Sequence, residues 1–181
     1  MRTMVICIIA VMLYAGCDVR PKRPTNGIVR EKGVNKVANE PEYPLDIEFE
    51  YKNGEMVRYT QLFQNGQKKL EILYSDPSLN QWGSEEFETK EYFESGKKKL
   101  SSHTIADSII TKTEYFENGQ IALDFNRTPG RIDKGIRYFA DGKKKEEFEY
   151  QNEQRHGVWC EWDSLGRQTR DEKYLQGTLV K

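Results

Sequence analysis

Cysteine is scarce in this chain of 181 residues: there are three, at positions 7, 17 and 160, too few for a disulfide framework. Histidine is scarcer still, with only His103 and His156, and no cluster of His, Cys or carboxylates has metal-ligand spacing. No metal or other cofactor is therefore expected. Neither charge sign dominates, since 28 Lys and Arg stand against 29 Asp and Glu, and the net charge of −1 argues against a nucleic-acid partner. No Gly-rich phosphate loop follows a strand and opens a helix. The longest apolar run, Met4 to Leu13, is about ten residues, too short to span a ~30 Å hydrocarbon core. Beyond it, no stretch has the period of an amphipathic helix. Carboxylates are plentiful but dispersed among lysines, as on a wet sheet face, so no enzyme is expected.

What the chain does have is a repeat. Tyr92-Phe93-Glu94-Ser95-Gly96 returns as Tyr115-Phe116-Glu117-Asn118-Gly119 and again as Tyr138-Phe139-Ala140-Asp141-Gly142, with the glycines about 23 residues apart. Further copies end at Asn53-Gly54, Asn65-Gly66, Gly166 and Gly177, and Gly157 is also counted among the turn glycines. Asn-Gly and Asp-Gly suit hairpin turns, because Asn and Asp tolerate positive φ and Gly has no Cβ to clash. An aromatic before the turn can pair across the two strands. Each unit thus reads as strand, tight turn, strand.

The flanks agree. Ile47/Phe49/Tyr51, Leu70/Ile72/Tyr74, Leu123/Phe125, Ile136/Tyr138 and Phe148/Tyr150 alternate with polar or small residues, as half-buried strands require. One hairpin cannot bury its apolar face alone, whereas stacked neighbours can. The expected fold is all-β: an elongated antiparallel β-meander or solenoid of stacked hairpin repeats over residues 43–181. An inserted loop at Ser75 to Asn80 and a divergent, capping last unit complete it.

These repeats resemble the MORN-type repeats, in the bacterial variant found in the YwqK-like antitoxin family. The resemblance rests on the [YF]-x-[ND]-G turns, the Lys that follows several of them, and Gly157-Val158-Trp159 behind His156. It implies a hairpin-repeat scaffold that binds another protein, in one version a toxin that it neutralises.

The N-terminus has a basic start, a short apolar centre and small residues, which together describe a secretory signal peptide over residues 1–16. Leu13-Tyr14-Ala15-Gly16-Cys17 resembles the lipobox of bacterial lipoproteins, with Tyr14 where that family usually has Leu. The resemblance implies a diacylated Cys17 and a cell-envelope, membrane-anchored protein, with inner or outer membrane left open. Two acyl chains give stable anchoring where one is marginal. The plainer account is an ordinary signal peptide. Residues 17–42 hold charges, prolines and no sustained period, and so read as a disordered, flexible tether with a reach of ~28 Å.

Two surface features are candidate binding sites. Lys68-Lys69, Lys97-Lys98-Lys99 and Lys143-Lys144-Lys145 follow their glycines at equivalent places, which predicts a basic stripe along one side of the sheet. Such a stripe suits phospholipid head groups, anionic glycan or an acidic protein, or it simply keeps strand ends soluble. Trp159 and Trp162 either form an aromatic binding surface or pack in the core and cap. Alternation places Trp159 on one face and Val158, Cys160 and Trp162 on the other. Cys160 reads as a buried, inert thiol.

Overall fold

The glycine segments turn the chain back on itself, so each strand lies beside the one before it. The computed structural model describes residues 24–34, 44–75, 86–106, 108–128 and 132–180. Among them are thirteen strands and no helix, in one antiparallel sheet whose spatial order is the chain order. The strands are β1 (Gly27–Val34), β2 (Pro44–Lys52), β3 (Glu55–Leu62), β4 (Lys68–Tyr74) and β5 (Glu86–Tyr92). Then come β6 (Lys98–Ile105), β7 (Ser108–Tyr115), β8 (Ile121–Asn126) and β9 (Asp133–Tyr138). The last four are β10 (Lys144–Gln151), β11 (Gln154–Trp162), β12 (Gln168–Leu175) and β13 (Thr178–Leu179). The sheet does not close: β1 and β13 are its two ends.

The turns fall into two kinds, one on each rim of the sheet. Five share one geometry, at residues 63–67, 93–97, 116–120, 139–143 and 163–167. In each, the glycine N–H donates to the carbonyl three residues back, and the first residue's N–H donates to the carbonyl of the fifth, as Gly119 to Phe116 (2.8 Å) and Phe116 to Gln120 (2.8 Å). The glycines sit in the left-handed region, with φ of 80° at Gly96 and 90° at Gly119. Asn53-Gly54 (φ 53° and 82°) and Gln176-Gly177 (φ 49° and 82°) are instead two-residue turns on the opposite rim, with positive φ at both positions. They are therefore not copies of the glycine-rim turn, although the sequence places them in one series. Asn152-Glu153 (φ 51° and 63°) is a third turn of this second kind, without a glycine. Gly157 is not a turn residue at all. It lies inside β11 at φ 65°, where the register against β10 slips between Phe148 and Tyr150, so it serves a β-bulge.

Register assigns the faces, since directly paired residues point the same way. On the core face one row runs Val29, Phe49, Tyr59, Ile72, then Thr89, Ser102, Lys112, then Phe125, Gly135, Phe148, Trp159. Two apolar clusters result. Ile47, Phe49, Tyr59, Leu70 and Ile72 form one, and Leu123, Phe148 and Trp159 the other. Their exposures run from 4% at Ile47 to 9% at Tyr59, and no large side chain falls below 2%, as a single layer dictates. The reverse face carries Arg30, Glu48, Thr60, Glu71, Lys90 and Ser101 in one row, tied by ion pairs.

β9 departs from the expected alternation. Ile136 and Tyr138 point to the reverse face, and Gly135 takes the core position because the Phe148 ring lies over it. A Cβ on Gly135 would sit 2.2 Å from Phe148 Cζ.

β1 corrects the tether, since residues 27–34 are a full strand. Its residues alternate charge rather than apolarity, a pattern that hides a strand until its partner is known. Val29 packs on the first cluster, while Arg30 pairs with Glu48 (2.7 Å) and Lys32 with Asp46. Asn26 and Thr25 then cap the Asn53-Gly54 turn, at 3.0 and 2.6 Å. Cys17, the signal segment and the rest of the tether lie outside the described residues, as does most of the inserted loop.

Candidate functional site

The lysine triplets occupy one rim, but their side chains leave it in three directions. The first lysine of each triplet reaches along the rim: Lys97 Nζ donates to the Glu117 carbonyl (2.9 Å) and Lys143 Nζ to the Ser164 carbonyl (3.0 Å). The second turns to the reverse face. Lys98 lies over the Tyr115 ring (5.6 Å), Lys144 lies over the Trp162 ring (5.5 Å) and pairs with Glu147 (2.8 Å), and Lys68 pairs with Glu71 (2.5 Å). The third is the extra residue of a bulge. Lys69, Lys99 and Lys145 each fall where the strand slips register. Of these, Lys99 pairs with Glu91 (3.5 Å) and Lys145 covers the Phe139 ring (5.7 Å).

The rim itself is a ladder. Asn65 Nδ2 donates to the Glu94 carbonyl (3.1 Å), Lys97 to Glu117, Asn118 Nδ2 to the Ala140 carbonyl (2.8 Å), and Lys143 to Ser164. Each turn is thus bonded to the next. Where the third position is Asn, its amide makes the bridge. Where it is Ser95 or Asp141, which lack that amide donor, the fifth-position lysine does. The Asp141 carboxylate also accepts from the Lys143 N–H (3.1 Å), which with the Lys143 ammonium holds it below the usual carboxylate range.

Beside this rim, on the reverse face, runs a second regular feature. Register pairs Leu62 with Lys68, Tyr92 with Lys98, Tyr115 with Ile121, Tyr138 with Lys144 and Trp162 with Gln168. Tyr92, Tyr115, Tyr138 and Trp162 are all half-buried. An aromatic thus stands just before four of the five rim turns, on every second strand from β5 to β11, and register sets Lys98 and Lys144 opposite two of the four. The Tyr-Phe dyads signalled this in the sequence, but which face they meet depends on the bulges.

The tryptophans part as alternation requires. Trp162 joins the reverse-face row. Trp159 is only 6% exposed, so it is a core residue and not a surface one, packed at 5.9 Å from Phe148, 5.6 Å from Tyr150 and 6.3 Å from Tyr174. The Arg155 guanidinium lies 4.1 Å over its ring and donates to the Tyr174 hydroxyl (3.0 Å). Cys160 is buried, and burial first, then the Asp171 charge, push its thiol up from its ordinary value. At this end the exposed apolar side chains also gather. Val158 (40%) and Val180 (56%) flank Lys173 from either side, with Leu175 (56%) two residues on.

Among the described residues Glu71 is the one carboxylate deep in the sheet, at 5% exposure. Burial pushes its pKa up, but the Lys68 hydrogen bond and the charges of Lys68, Arg58 and Lys90 outweigh burial and leave it below its ordinary value. Among the described residues no three His, Cys, Asp or Glu gather where a metal could sit. His103 contacts Glu86 (3.2 Å) on the reverse face, and His156 lies at the β11 bulge. No protein-family model matches the chain, and no curated protein matches it either.

Proposed function

We propose that the chain is a non-enzymatic, lipid-anchored repeat protein of the bacterial cell envelope whose sheet is a scaffold for another protein. The anchor is Cys17, after a signal peptide. The observation that supports the scaffold most directly is the exposed apolar group formed by Val158, Leu175 and Val180 at one end of the reverse face. Such a group, rimmed by polar residues, suits a protein partner. A repeat sheet also presents a long surface, because each unit contacts only its neighbours. In the version suggested by the antitoxin resemblance, the partner is an exported or incoming toxin that the sheet occupies.

The test is a pull-down from native envelope with the full chain, washed at low and then high salt. One protein retained at near-equal amount through high salt, and lost with Leu175→Asp, supports the scaffold, and the toxin version stands only if that protein is a toxin. Retention unchanged by Leu175→Asp would remove this surface from consideration. A second reading, of a structural module on membrane head groups or wall glycan, draws on the rim. The five seven-residue windows from each turn's first residue hold nine Lys and Arg against four carboxylates, although the whole chain is net −1. Contacts of that kind would leave with salt.

A further inference from the structure

We propose that the reverse-face row of Tyr92, Lys98, Tyr115, Tyr138, Lys144 and Trp162 binds a linear anionic glycan, each aromatic ring carrying a sugar and each lysine an acidic substituent. This rests on the second reading above and names its ligand.

Four observations support it. The first is spacing. The aromatics stand on β5, β7, β9 and β11, so successive rings are two strands apart, about 9.5 Å at the usual interstrand distance. A site that repeats by translation is matched by a ligand that repeats, and a β-1,4-linked chain advances by about this interval with every two sugars. A globular protein surface has no such period. Nucleic acid would require a broader cationic excess than a chain of net charge −1 supplies.

The second observation is ring presentation. The four aromatics are half-buried, so each keeps part of its surface in solvent, as stacking on a sugar's C–H face needs.

The third is the position of the cations. Lys98 and Lys144 already rest over the rings of Tyr115 and Trp162, at 5.6 and 5.5 Å. Each ammonium is therefore within a side chain's swing of whatever stacks on the ring. A carboxylate, sulfate or phosphate on the sugar would draw it off the ring face and replace the cation–π contact with an ion pair.

The fourth is unspent charge at the centre of the row. Lys68 and Lys144 each meet a carboxylate three residues on, Glu71 and Glu147. At Lys98 that position is Ser101, and among the described residues no carboxylate lies within ion-pair distance of its ammonium. Each sugar contact alone is weak, and four on one rigid sheet act together through effective concentration.

The experiment titrates the full chain in mild detergent with β-1,4-linked polyuronate fragments of two to ten sugars. Neutral fragments of the same linkage, and vesicles of anionic phospholipid, run in parallel. Affinity for the acidic fragments is expected to climb steeply with length and level off near eight sugars, roughly the span of four rings at two sugars per ring. Lys98→Gln, with circular dichroism unchanged, should lower acidic-fragment affinity roughly fivefold to tenfold and leave neutral-fragment affinity alone. Tyr115→Phe should lower neither more than slightly, since it keeps the ring. Affinity independent of length, or a Lys98→Gln variant that binds as before, overturns the proposal. Binding to vesicles but to no fragment also overturns it while leaving the head-group form of the second reading in place. Binding to neither defeats both.

Discussion

The two apolar clusters lie on the same face of one sheet and are built differently. The first, on β2 to β4, mixes aliphatics with a tilted Phe49–Tyr59 pair (5.4 Å), and burial among them pushes the neighbouring Tyr74 phenol up to about 12. The second, on β8 to β11, is mostly aromatic and is covered by a cation, Arg155, rather than by a second layer. Between them, β5 to β7 carry Thr89, Ser102 and Lys112 on the core face and Lys90, Ser101 and Thr113 on the reverse. The centre of the sheet therefore has little apolar surface to bury. Its continuity rests on backbone ladders, on pairs such as Lys112–Glu114 (2.5 Å), and on the rim bridges. A single layer can be long because apolar burial at its ends supports a hydrogen-bonded middle, with neighbour-to-neighbour terms adding along the array.

The largest way to break this comparison is to empty each cluster in turn. Trp159→Ala should cost about 3 kcal/mol, the low end for a large aromatic, because the ring is roofed by one arginine and not by a packed layer. Ile72→Ala should cost about 2 kcal/mol, the low end for an aliphatic, because it packs in a single layer with no second sheet over it. Hydrogen exchange should then show β8 to β12 losing protection in the first variant, with β2 to β4 losing it in the second. If either variant releases all amides together, the polar centre transmits cooperativity fully and the two ends are one unit.

A pH titration separates the ends again. Glu71 has a folded pKa below its ordinary value, so its ionised form contributes stability that is present above the unfolded carboxylate pKa. That stability is lost as pH falls through the folded pKa. On acidification below the usual carboxylate range, the β2 to β5 amides should weaken. Glu71→Gln should remove that acid dependence. It should also cost roughly 1–2 kcal/mol at neutral pH, because Lys68 and Arg58 lose the charge they face. Equal acid sensitivity in the variant would assign the effect to other carboxylates.

Much of this architecture was legible in the residues, and what was missed has physical causes. Asn-Gly and Asp-Gly name positive-φ positions whatever surrounds them, so the turns could be read locally. The alternations at Ile47/Phe49, Leu70/Ile72 and Phe148/Tyr150 fixed their faces for the same reason. β1 could not be read this way, because Arg30 and Lys32 are recognisable as strand residues only opposite Glu48 and Asp46, beyond an intervening connection. The role of Gly135 appears only once Phe148 is laid across it. The aromatic row was hidden by parity: a one-residue bulge after each glycine turn decides which face Tyr92, Tyr115 and Tyr138 meet. Alternation alone parted Trp159 from Trp162, but the lysine stripe, read from equivalent places after the glycines, separated only once its side chains took directions.

A smaller effect, of opposite sign, sharpens the second end. Asn152-Glu153 holds two non-glycine residues at positive φ, and left-handed backbone costs an ordinary side chain roughly 1 kcal/mol. Glu153→Gly should therefore stabilise the β10–β11 hairpin by up to about 1 kcal/mol, less the entropy that glycine adds to the unfolded chain. The gain should raise protection in β10 and β11 and leave β2 to β4 unchanged. A uniform gain would again mean that the ends are coupled.

The smallest effect bears on the middle. The rim bridges alternate between an Asn amide at the third turn position and a Lys ammonium at the fifth, and the Lys97 bridge to Glu117 spans the polar centre. Lys97→Gln should cost about 0.5 kcal/mol, the low end for a hydrogen bond at an exposed site, and should loosen the β6–β7 amides first. Charge loss alone would produce a similar number, so a second variant is needed. Ser95→Asn added to Lys97→Gln rebuilds this turn as Asn-Gly-Gln, the form at residues 65–67 and 118–120. The new amide then lies where Asn65 and Asn118 reach the next turn's carbonyl. If the bridge is what matters, the double variant regains the lost protection without the lysine. If it remains as weak as the single variant, Lys97 acts through its charge, and the turns stand side by side without holding one another.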